Sequence, residues 1–302
     1  MANTRELRRR IRSVKNTAQI TKAMQMVAAT KMRRAQNQAI NGRPYGFNLS
    51  SALERLLPLI NIESHALLRS NNVVTQGVIL FSTDKSLCGA LNTNLFRLLS
   101  SSGMVNANTL FYTVGKKGRN FVARSGKNLQ ADFENLDIVT FRQAVQLSKL
   151  VMDSFKAKEV GEVYLVYPRF VSTLRQEPVK VKLLPVDLEA VIASVAQTHL
   201  PGENKVTASA HPEGGNNKEF LFEPSPEKLL EYLLVHNLQM KIYQSLLETK
   251  ASEHSARMIA MQNATDNALE LVDDLNLTYN QTRQDAITKE LLEITTAAMA
   301  MT

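Results

Sequence analysis

Both ends of this sequence lack the residues that break helices. All twelve glycines and nine prolines lie between Gly42 and Pro226, so neither occurs in the first 41 or the last 76 residues. Because Gly and Pro are the strongest helix breakers, we predict two long helices flanking a middle segment that carries the turns. A helix from Glu227 to Thr302 would be about 114 Å long, so we expect it to need a partner along its length.

Other absences exclude whole classes of protein. The single cysteine, Cys88, excludes a disulfide framework or a thiolate metal site within one chain. The longest apolar runs are too short to span a bilayer, and the N-terminus lacks the apolar segment of a secretion signal. We therefore expect a reducing, cytosolic location.

The sequence also lacks the motifs of nucleotide and metal sites. The segment Ser82–Gly89, after the first predicted strand, matches no phosphate-binding loop, and Gly115–Gly118 is too short for one. We interpret Gly115–Gly118 as a strand-to-helix turn. The five histidines show no metal-ligand spacing, and nothing assembles a nucleophile with a base. We therefore predict no cofactor, no metal and no active site within this chain, which argues against a nucleotide-dependent enzyme.

Charge is distributed unevenly along the chain. Residues 1–34 carry a net charge of +9, from ten Lys/Arg and one Glu, whereas residues 227–302 carry −5, from six Lys/Arg and eleven Asp/Glu. Opposite signs suit two termini that pair with each other. The basic segment also permits an alternative, a nucleic-acid-binding protein that uses the N-terminal helix. No aromatic residue precedes Tyr45, however, so that helix offers no platform for stacking bases.

The N-terminal segment repeats apolar residues at helical spacing. The pattern starts at Leu7, continues through Ile20, Met24 and Val27, and extends to Ala39. We predict a helix over residues 1–58, with a kink or break near 42–46, where Asn, Gly, Arg and Pro follow one another.

The C-terminal segment carries a strict heptad pattern. Ser225 is a candidate N-cap with Pro226 at the first helical position, and we predict a helix over 225–302. Apolar and small residues alternate at three- and four-residue spacing from Ala251 to Ala286, which predicts a left-handed coiled coil. The N-terminal helix is the favoured antiparallel partner, and a homodimeric coil is the alternative. The central seam residues are Met258, Met261, Thr265, Ala268, Val272, Leu275 and Tyr279.

The middle of the chain changes to strand-like runs. We predict buried strands at 77–82, 109–114 and 162–167, an edge strand at 179–186, and helices at 92–101, 116–124 and 141–158. This alternation predicts an α/β domain over 72–195 with a mostly parallel sheet. Residues 196–224, which include an aperiodic polar stretch at 199–218, are predicted to form a mobile connection.

Long motifs occur at both ends of the chain and after the first predicted strand. They are Ile11–Thr17, Ile20–Met24, Met26–Ala29, Lys31–Gln36, Ser82–Asp84, Leu87–Gly89, Ala256–Met258, Met261–Asn267 and Ile287–Ile294. These motifs resemble those of the gamma subunits of F-type ATP synthases, of the bacterial type, and the resemblance spans essentially the whole sequence. The sequence departs from that family at Ala297, where the family usually has glycine, and at Ser86 and Ala90, which also replace common glycines.

The resemblance implies a rotor. The paired terminal helices would form a shaft inside the ring of alpha and beta subunits. A Rossmann-like middle domain would lie near the ring of c subunits and beside the epsilon subunit. The chain would transmit torque for proton- or sodium-driven ATP synthesis or for ATP hydrolysis, while catalysis stays in the beta subunits. It would lie at the cytoplasmic face of the bacterial plasma membrane, associated with it only through the complex and without nucleic acid.

The resemblance also implies roles for particular residues. Phe222 and Glu223 match the stretch that contacts the c ring. The residues implied in coupling to the beta subunits are Lys22, Met24, Arg33, Arg34, Arg257, Arg283, Lys289 and Glu290.

Overall fold

The computed structural model describes residues 4–56, 65–187, 223 and 225–300. They divide into two compact units, Met1–Thr30 with Arg257–Thr302, and Lys31–Ala256, and the first and last helices contribute to both. The elements, in chain order, are α1 (Thr4–Leu56), β1 (Gln76–Phe81), α2 (Leu91–Ser101), β2 (Thr109–Val114), α3 (Lys116–Arg124), β3 (Asn128–Phe133), α4 (Phe141–Lys156), β4 (Glu162–Phe170), β5 (Gln176–Leu184) and α5 (Pro226–Ala300).

A five-stranded sheet forms the centre of the second unit, in the spatial order β3-β2-β1-β4-β5. The first four strands run parallel to their neighbours, and β5 runs antiparallel to β4. This confirms the predicted α/β architecture with a mostly parallel sheet. Successive residues of β1 face opposite sides of the sheet, and both sides are buried: Ile79 and Phe81 lie in one apolar cluster, Val78 and Leu80 in the other.

Helices cover both faces of the sheet. Leu95 of α2 and Val122 of α3 pack in one cluster, whereas Leu147 of α4 and Ile242 of α5 pack in the other. The chain therefore changes face after β3 and returns to place β4 beside β1. Such a reversal leaves a crevice at the carboxyl ends of β1 and β4, where doubly wound folds bind their ligands.

The strand β3 is absent from the sequence prediction. Its three inward side chains, Leu129, Ala131 and Phe133, are only partly buried and alternate with exposed polar residues. β3 lies at the edge of the sheet and pairs only with β2. An edge strand buries less apolar surface than a central one, so its sequence lacks the continuous apolar run that marks β1, β2 and β4.

The strand β4 extends beyond its predicted end at Tyr167 and includes Pro168. β1 pairs with β4 only as far as Val166, and from Tyr167 onward β4 pairs with β5 alone. Pro168, which lies opposite Pro178, therefore needs no backbone N–H for a ladder on the β1 side. Proline is tolerated in a strand where one side carries no ladder.

The helix α1 continues through the segment where the sequence predicts a kink or a break. Gly42 and Pro44 both lie inside it, so an outright break does not occur. Pro44 removes one backbone hydrogen bond from the helix, and contacts with α5 follow it in the chain. Tyr45 Oη lies 2.6 Å from His236 Nε2 of α5, and Leu53 packs against Leu230 and Leu234.

The helix α5 begins as predicted. The backbone N–H of Lys228 donates to Ser225 Oγ at 3.5 Å, and Pro226 is the first helical residue. Most of the predicted mobile connection, including 199–218 and Phe222, lies outside the described residues.

Candidate partner-binding surface

Two polar contacts define how α1 and α5 pair in the first unit. The Arg8 guanidinium donates a hydrogen bond to the Tyr279 hydroxyl at 2.6 Å and lies 5.5 Å from the centre of its ring. Further along α1, Thr21 Oγ1 lies 2.7 Å from Thr265 Oγ1. Because the residue number in α5 falls as that in α1 rises, the two helices are antiparallel, as the sequence predicts.

The buried residues of α5 in this unit follow the heptad spacing. Met258 and Tyr279, at the two ends of this stretch, are half-buried. A stripe at three- and four-residue spacing stays on one side of a slightly underwound helix, which is the geometry of a coiled-coil seam. The fully buried residues are Met261, Thr265, Ala268, Val272 and Leu275.

The seam of α1 differs from the predicted one in its middle. The apolar pattern assigned Ile20 and Val27 to the helix face that packs, but their side chains are 61% and 56% exposed. That assignment is wrong. The buried positions are Thr21 and Ala28, which continue the four- and three-residue spacing from Ala18. The apolar pattern included Ala28 but missed Thr21, because a threonine occupies a position where a hydrophobic residue is expected.

The middle of the seam is polar. The Thr21 hydroxyl contacts the carbonyl of Ala18 at 3.0 Å, and the Thr265 hydroxyl contacts that of Met261 at 2.8 Å, in addition to their contact with each other. Gln25 follows one turn later in α1, and its side-chain oxygen is buried without a hydrogen-bond partner among the described residues. Polar groups at seam positions fix the register of a coiled coil while lowering its stability.

The C-terminal end of α5 is exposed on all sides. Every residue from Arg283 to Ala300 is exposed, although the segment remains helical. Removing the large apolar side chains among them from water would be favourable in free energy. An exposed apolar surface of this kind marks a site of interaction with another molecule. These side chains are Ile287, Leu291, Leu292, Ile294 and Met299.

The residues implied in coupling occupy separate positions in the structure. In the first unit, Lys22 is exposed, and Met24 and Arg257 are half-buried. Arg283 lies 18 residues beyond Thr265, so it is roughly 27 Å further along the helix than the level of Lys22. The structure thus does not bring these residues into one cluster.

The remaining coupling residues are exposed as well. Lys289 and Glu290 lie on the exposed end of α5, where Lys289 Nζ is 3.9 Å from Glu293 Oε1. Arg33 and Arg34 belong to the second unit and are exposed on α1. Glu223, one of the two residues implied in c-ring contact, is exposed too.

The N-terminus of α3 is occupied by the chain itself. In nucleotide-binding folds a helix N-terminus at the carboxyl edge of the sheet receives a phosphate. Here the backbone N–H of Lys116 donates to Asp84 Oδ1 at 2.8 Å, and that of Gly118 donates to Ser82 Oγ at 2.8 Å. Gly115, with φ of +101°, allows this close approach. The segment is the strand-to-helix turn that the sequence predicts.

Helix α5 contacts the carboxyl end of β4 and the turn that follows it. Ser252 Oγ donates to the carbonyl of Pro168 at 2.9 Å, and Ser255 Oγ donates to that of Thr173 at 2.6 Å. Among the residues that the structure describes, no cluster of His, Cys, Asp or Glu could hold a metal ion. None of the described helices is long and apolar enough to cross a membrane.

Comparison with known proteins assigns the family. A family model described as ATP synthase matches residues 3–301. The ATP synthase gamma chain of Methylacidiphilum infernorum is 44% identical over 306 residues, covering 100% of both chains. The ATP synthase gamma chain of Akkermansia muciniphila is 41% identical over 303 residues, again with 100% of both chains covered. The match over the full length of the chain shows that it belongs to the proteins that make up ATP synthases. Within that class, this chain belongs to the gamma chain family.

Solved structures share the fold. A chain of the Euglena gracilis mitochondrial ATP synthase, from a structure of its OSCP, F1 and c-ring parts, superposes with a TM-score of 0.65. It is 20% identical, and the match covers 99% of this chain and 94% of that one. A chain from the central stalk and c ring of the Tetrahymena thermophila mitochondrial enzyme has a TM-score of 0.58, with 23% identity and coverage of 81% and 99%.

Proposed function

We propose that this chain is the central rotor stalk of a bacterial F-type ATP synthase. It transmits torque between a c ring in the membrane and the catalytic sites of a ring of alpha and beta subunits, and it carries no catalytic site itself. The observation that carries the proposal is the full-length match to gamma chains. The antiparallel helix pair, its exposed apolar end and the self-occupied N-terminus of α3 support it. The alternative of a nucleic-acid-binding protein gains nothing from these relatives, which are named as gamma chains.

The exposed end of α5 is the part that we assign to the interior of the alpha and beta ring. Its apolar side chains suit an apolar sleeve. The basic side chains of α1 form weaker, reversible contacts with acidic loops of the ring, because an exposed ion pair contributes only about 0–1 kcal/mol. Such contacts break and re-form as the stalk turns.

The positions that we assign to partners follow from exposure and from the family match. The c ring contacts Phe222 and Glu223, and the epsilon subunit lies beside the second unit. The complex lies at the cytoplasmic face of the plasma membrane, and this chain is peripheral there. Contacts with the catalytic ring involve Lys22, Met24, Arg33, Arg34, Arg257, Arg283, Lys289 and Glu290.

Reconstitution tests the stalk assignment. We expect the purified chain to assemble with alpha and beta subunits into a complex with sustained ATPase activity. A chain truncated after Thr282, which lacks the exposed end of α5, should give a complex with lower activity. If alpha and beta subunits show the same composition and activity with the full chain, the truncated chain or none, the proposal fails.

Coupling is tested in membranes that contain the complete enzyme. Replacing Lys22 by Gln together with Met24 by Ala should lower ATP-driven ion pumping more than ATP hydrolysis. The matched control is Lys15→Gln, which removes an exposed lysine from the same helix. An unchanged ratio of pumping to hydrolysis in the double variant would remove these two residues from the coupling surface.

A further inference from the structure

The unit Lys31–Ala256 contains a cavity. This cavity of about 230 Å³ opens where α1, α5 and the segment after β3 meet. Four apolar residues form part of its wall. The polar and charged residues that line it are Lys31, Arg34, Gln38, Asp137, Lys250 and His254.

The lining residues of this cavity carry more positive than negative charge. Three of them are cationic and Asp137 is the one carboxylate among them, while the carboxylate of Glu253 pairs with Lys250 from outside the cavity wall. The Lys31 ammonium donates to Asp137 Oδ2 at 3.1 Å, and this hydrogen bond and its charge hold the pKa of Asp137 below its ordinary value. Both groups are substantially exposed, so the pair is free to rearrange around another anion.

Lys250 is the unusual member of this set. Its side chain is 6% exposed, and its ammonium lies 3.6 Å from Glu253 Oε2 and 3.5 Å from the carbonyl of Asn135. Burial lowers its pKa, and the nearby carboxylates oppose that effect. Both distances are long for charge-assisted hydrogen bonds, which are usually about 2.7–2.9 Å. An anion in the cavity would give this buried ammonium a closer acceptor.

The cavity lies on the carboxyl side of the sheet. Asp137 follows β3, the edge strand, so it lies on the side of the sheet where the parallel strands end, although not at the β1–β4 crevice itself. The volume is smaller than the roughly 300–1,000 Å³ of pockets for drug-sized ligands. A whole nucleotide is therefore too large, whereas a small inorganic anion fits.

We propose that this cavity binds a small phosphate-type anion, inorganic phosphate or pyrophosphate, between Lys31, Arg34 and Lys250. The anion bridges α1, α5 and the segment after β3, and thereby ties both long helices to the edge of the sheet. The site is built from residues within one unit of this chain, and Arg34 is the residue that it shares with the proposed contacts with the catalytic ring.

Titration calorimetry of the full-length chain with inorganic pyrophosphate, in phosphate-free buffer of low ionic strength, tests the proposal. We expect one saturable site. Lys250→Met should weaken it about tenfold, the loss expected for one charge-assisted contact. The matched control is Lys241→Met, because burial lowers the pKa of Lys241 as well and this residue lies outside the cavity wall. Repeating the titration with inorganic phosphate distinguishes the two anions.

A second pair of variants guards against misfolding of the Lys250 variant. Arg34→Gln should weaken binding, whereas Arg33→Gln, at the neighbouring exposed position outside the cavity wall, should not. Absence of saturable binding overturns the proposal, and so does equal weakening by both members of either pair. If a hexapeptide of glutamate binds more tightly and displaces pyrophosphate, the cavity is a docking point for an acidic protein segment, and the small-anion site is refuted.

Discussion

The two buried hydroxyl groups of the coiled-coil seam contact each other across the helix pair. Thr21 and Thr265 bring two hydroxyls together at a level where most seams carry leucine or isoleucine. Each hydroxyl also reaches a carbonyl of its own helix, so neither is left unsatisfied when the helices pair. The pair therefore specifies register at a modest cost in apolar burial.

A double-mutant cycle measures this pair. Thr21→Val and Thr265→Val should each lower the free energy of unfolding by about 1 kcal/mol, because each substitution leaves the remaining hydroxyl beside an apolar group. The double variant should be more stable than the sum of the single effects indicates, with a coupling of roughly 0.5–1 kcal/mol. Urea unfolding of the full chain gives these values. Strict additivity would show that the two hydroxyls do not interact.

Replacing Gly115 or Gly42 by alanine should change the stability of the protein in opposite directions. Gly115 has φ of +101°, and an added Cβ would overlap the carbonyl of Ser82, so Gly115→Ala should destabilise the second unit by more than about 2 kcal/mol. Gly42 lies inside α1 with open space around it, so Gly42→Ala should stabilise the helix by up to about 1 kcal/mol. Thermal unfolding of both variants checks the signs. A stabilising Gly115→Ala would contradict the described turn.

Among the elements, the strands β4 and β5 are joined by charges at their exposed edge. Lys182 Nζ lies 2.7 Å from Glu162 Oε1, and the Tyr164 hydroxyl donates to the other carboxylate oxygen at 2.7 Å. The hydrogen bond from Lys182, followed by that from Tyr164, holds the pKa of Glu162 below its ordinary value. Burial, reinforced by Glu162, raises the pKa of Tyr164 to about 12.

The sign of the pH dependence follows from the Glu162 shift. A carboxyl group with a lowered pKa in the folded state stabilises that state above its unfolded pKa, about 4.3, and loses this contribution as the pH falls through the folded pKa. Glu162→Gln should lower the Tm by at most about 3 °C at pH 7, and this difference should shrink as the pH falls below about 4.3. Glu134→Gln, at an exposed position, is the control. A difference that grows at low pH would contradict this assignment.

The elements also show what the sequence could and could not predict. The strands β1 and β2 are continuous apolar runs buried on both faces, so their periodicity located them almost to the residue. The sequence pattern did not predict β3, because an edge strand needs only one partly buried face and so lacks a continuous apolar run. In α1, the sequence pattern assigned Ile20 to the packing face although it is exposed, and it left out Thr21 although that residue is buried. Burial at those positions depends on the partner helix, which local pattern cannot show.

Taken as a whole, the molecule keeps its apolar surface in two different forms. The second unit buries it in clusters on both faces of the sheet, whereas the end of α5 presents it to solvent. The first form stabilises this chain alone. The second stabilises only an assembly, which agrees with the proposed place of this end inside a ring of other subunits.

Removing the exposed end separates these two contributions. Truncation after Thr282 should leave the Tm of the isolated chain within about 2 °C of the full-length value, because the removed described residues are exposed. The far-ultraviolet circular dichroism should fall in proportion to the lost helix. The matched change is Leu275→Ala, at a buried seam position, which should lower the Tm clearly. A large loss of Tm on truncation would mean that the end packs on the chain itself.

The heptad spacing of α5 also makes the helix pair chiral. Two helices that meet along a 3.5-residue repeat wind around each other in the left-handed sense. A twist of one sense tightens such a winding and presses the seam together, whereas a twist of the opposite sense unwinds it and opens the seam where Thr21 and Thr265 meet. The torsional stiffness of the helix pair therefore depends on the direction of the torque, and it differs between forward and reverse rotation.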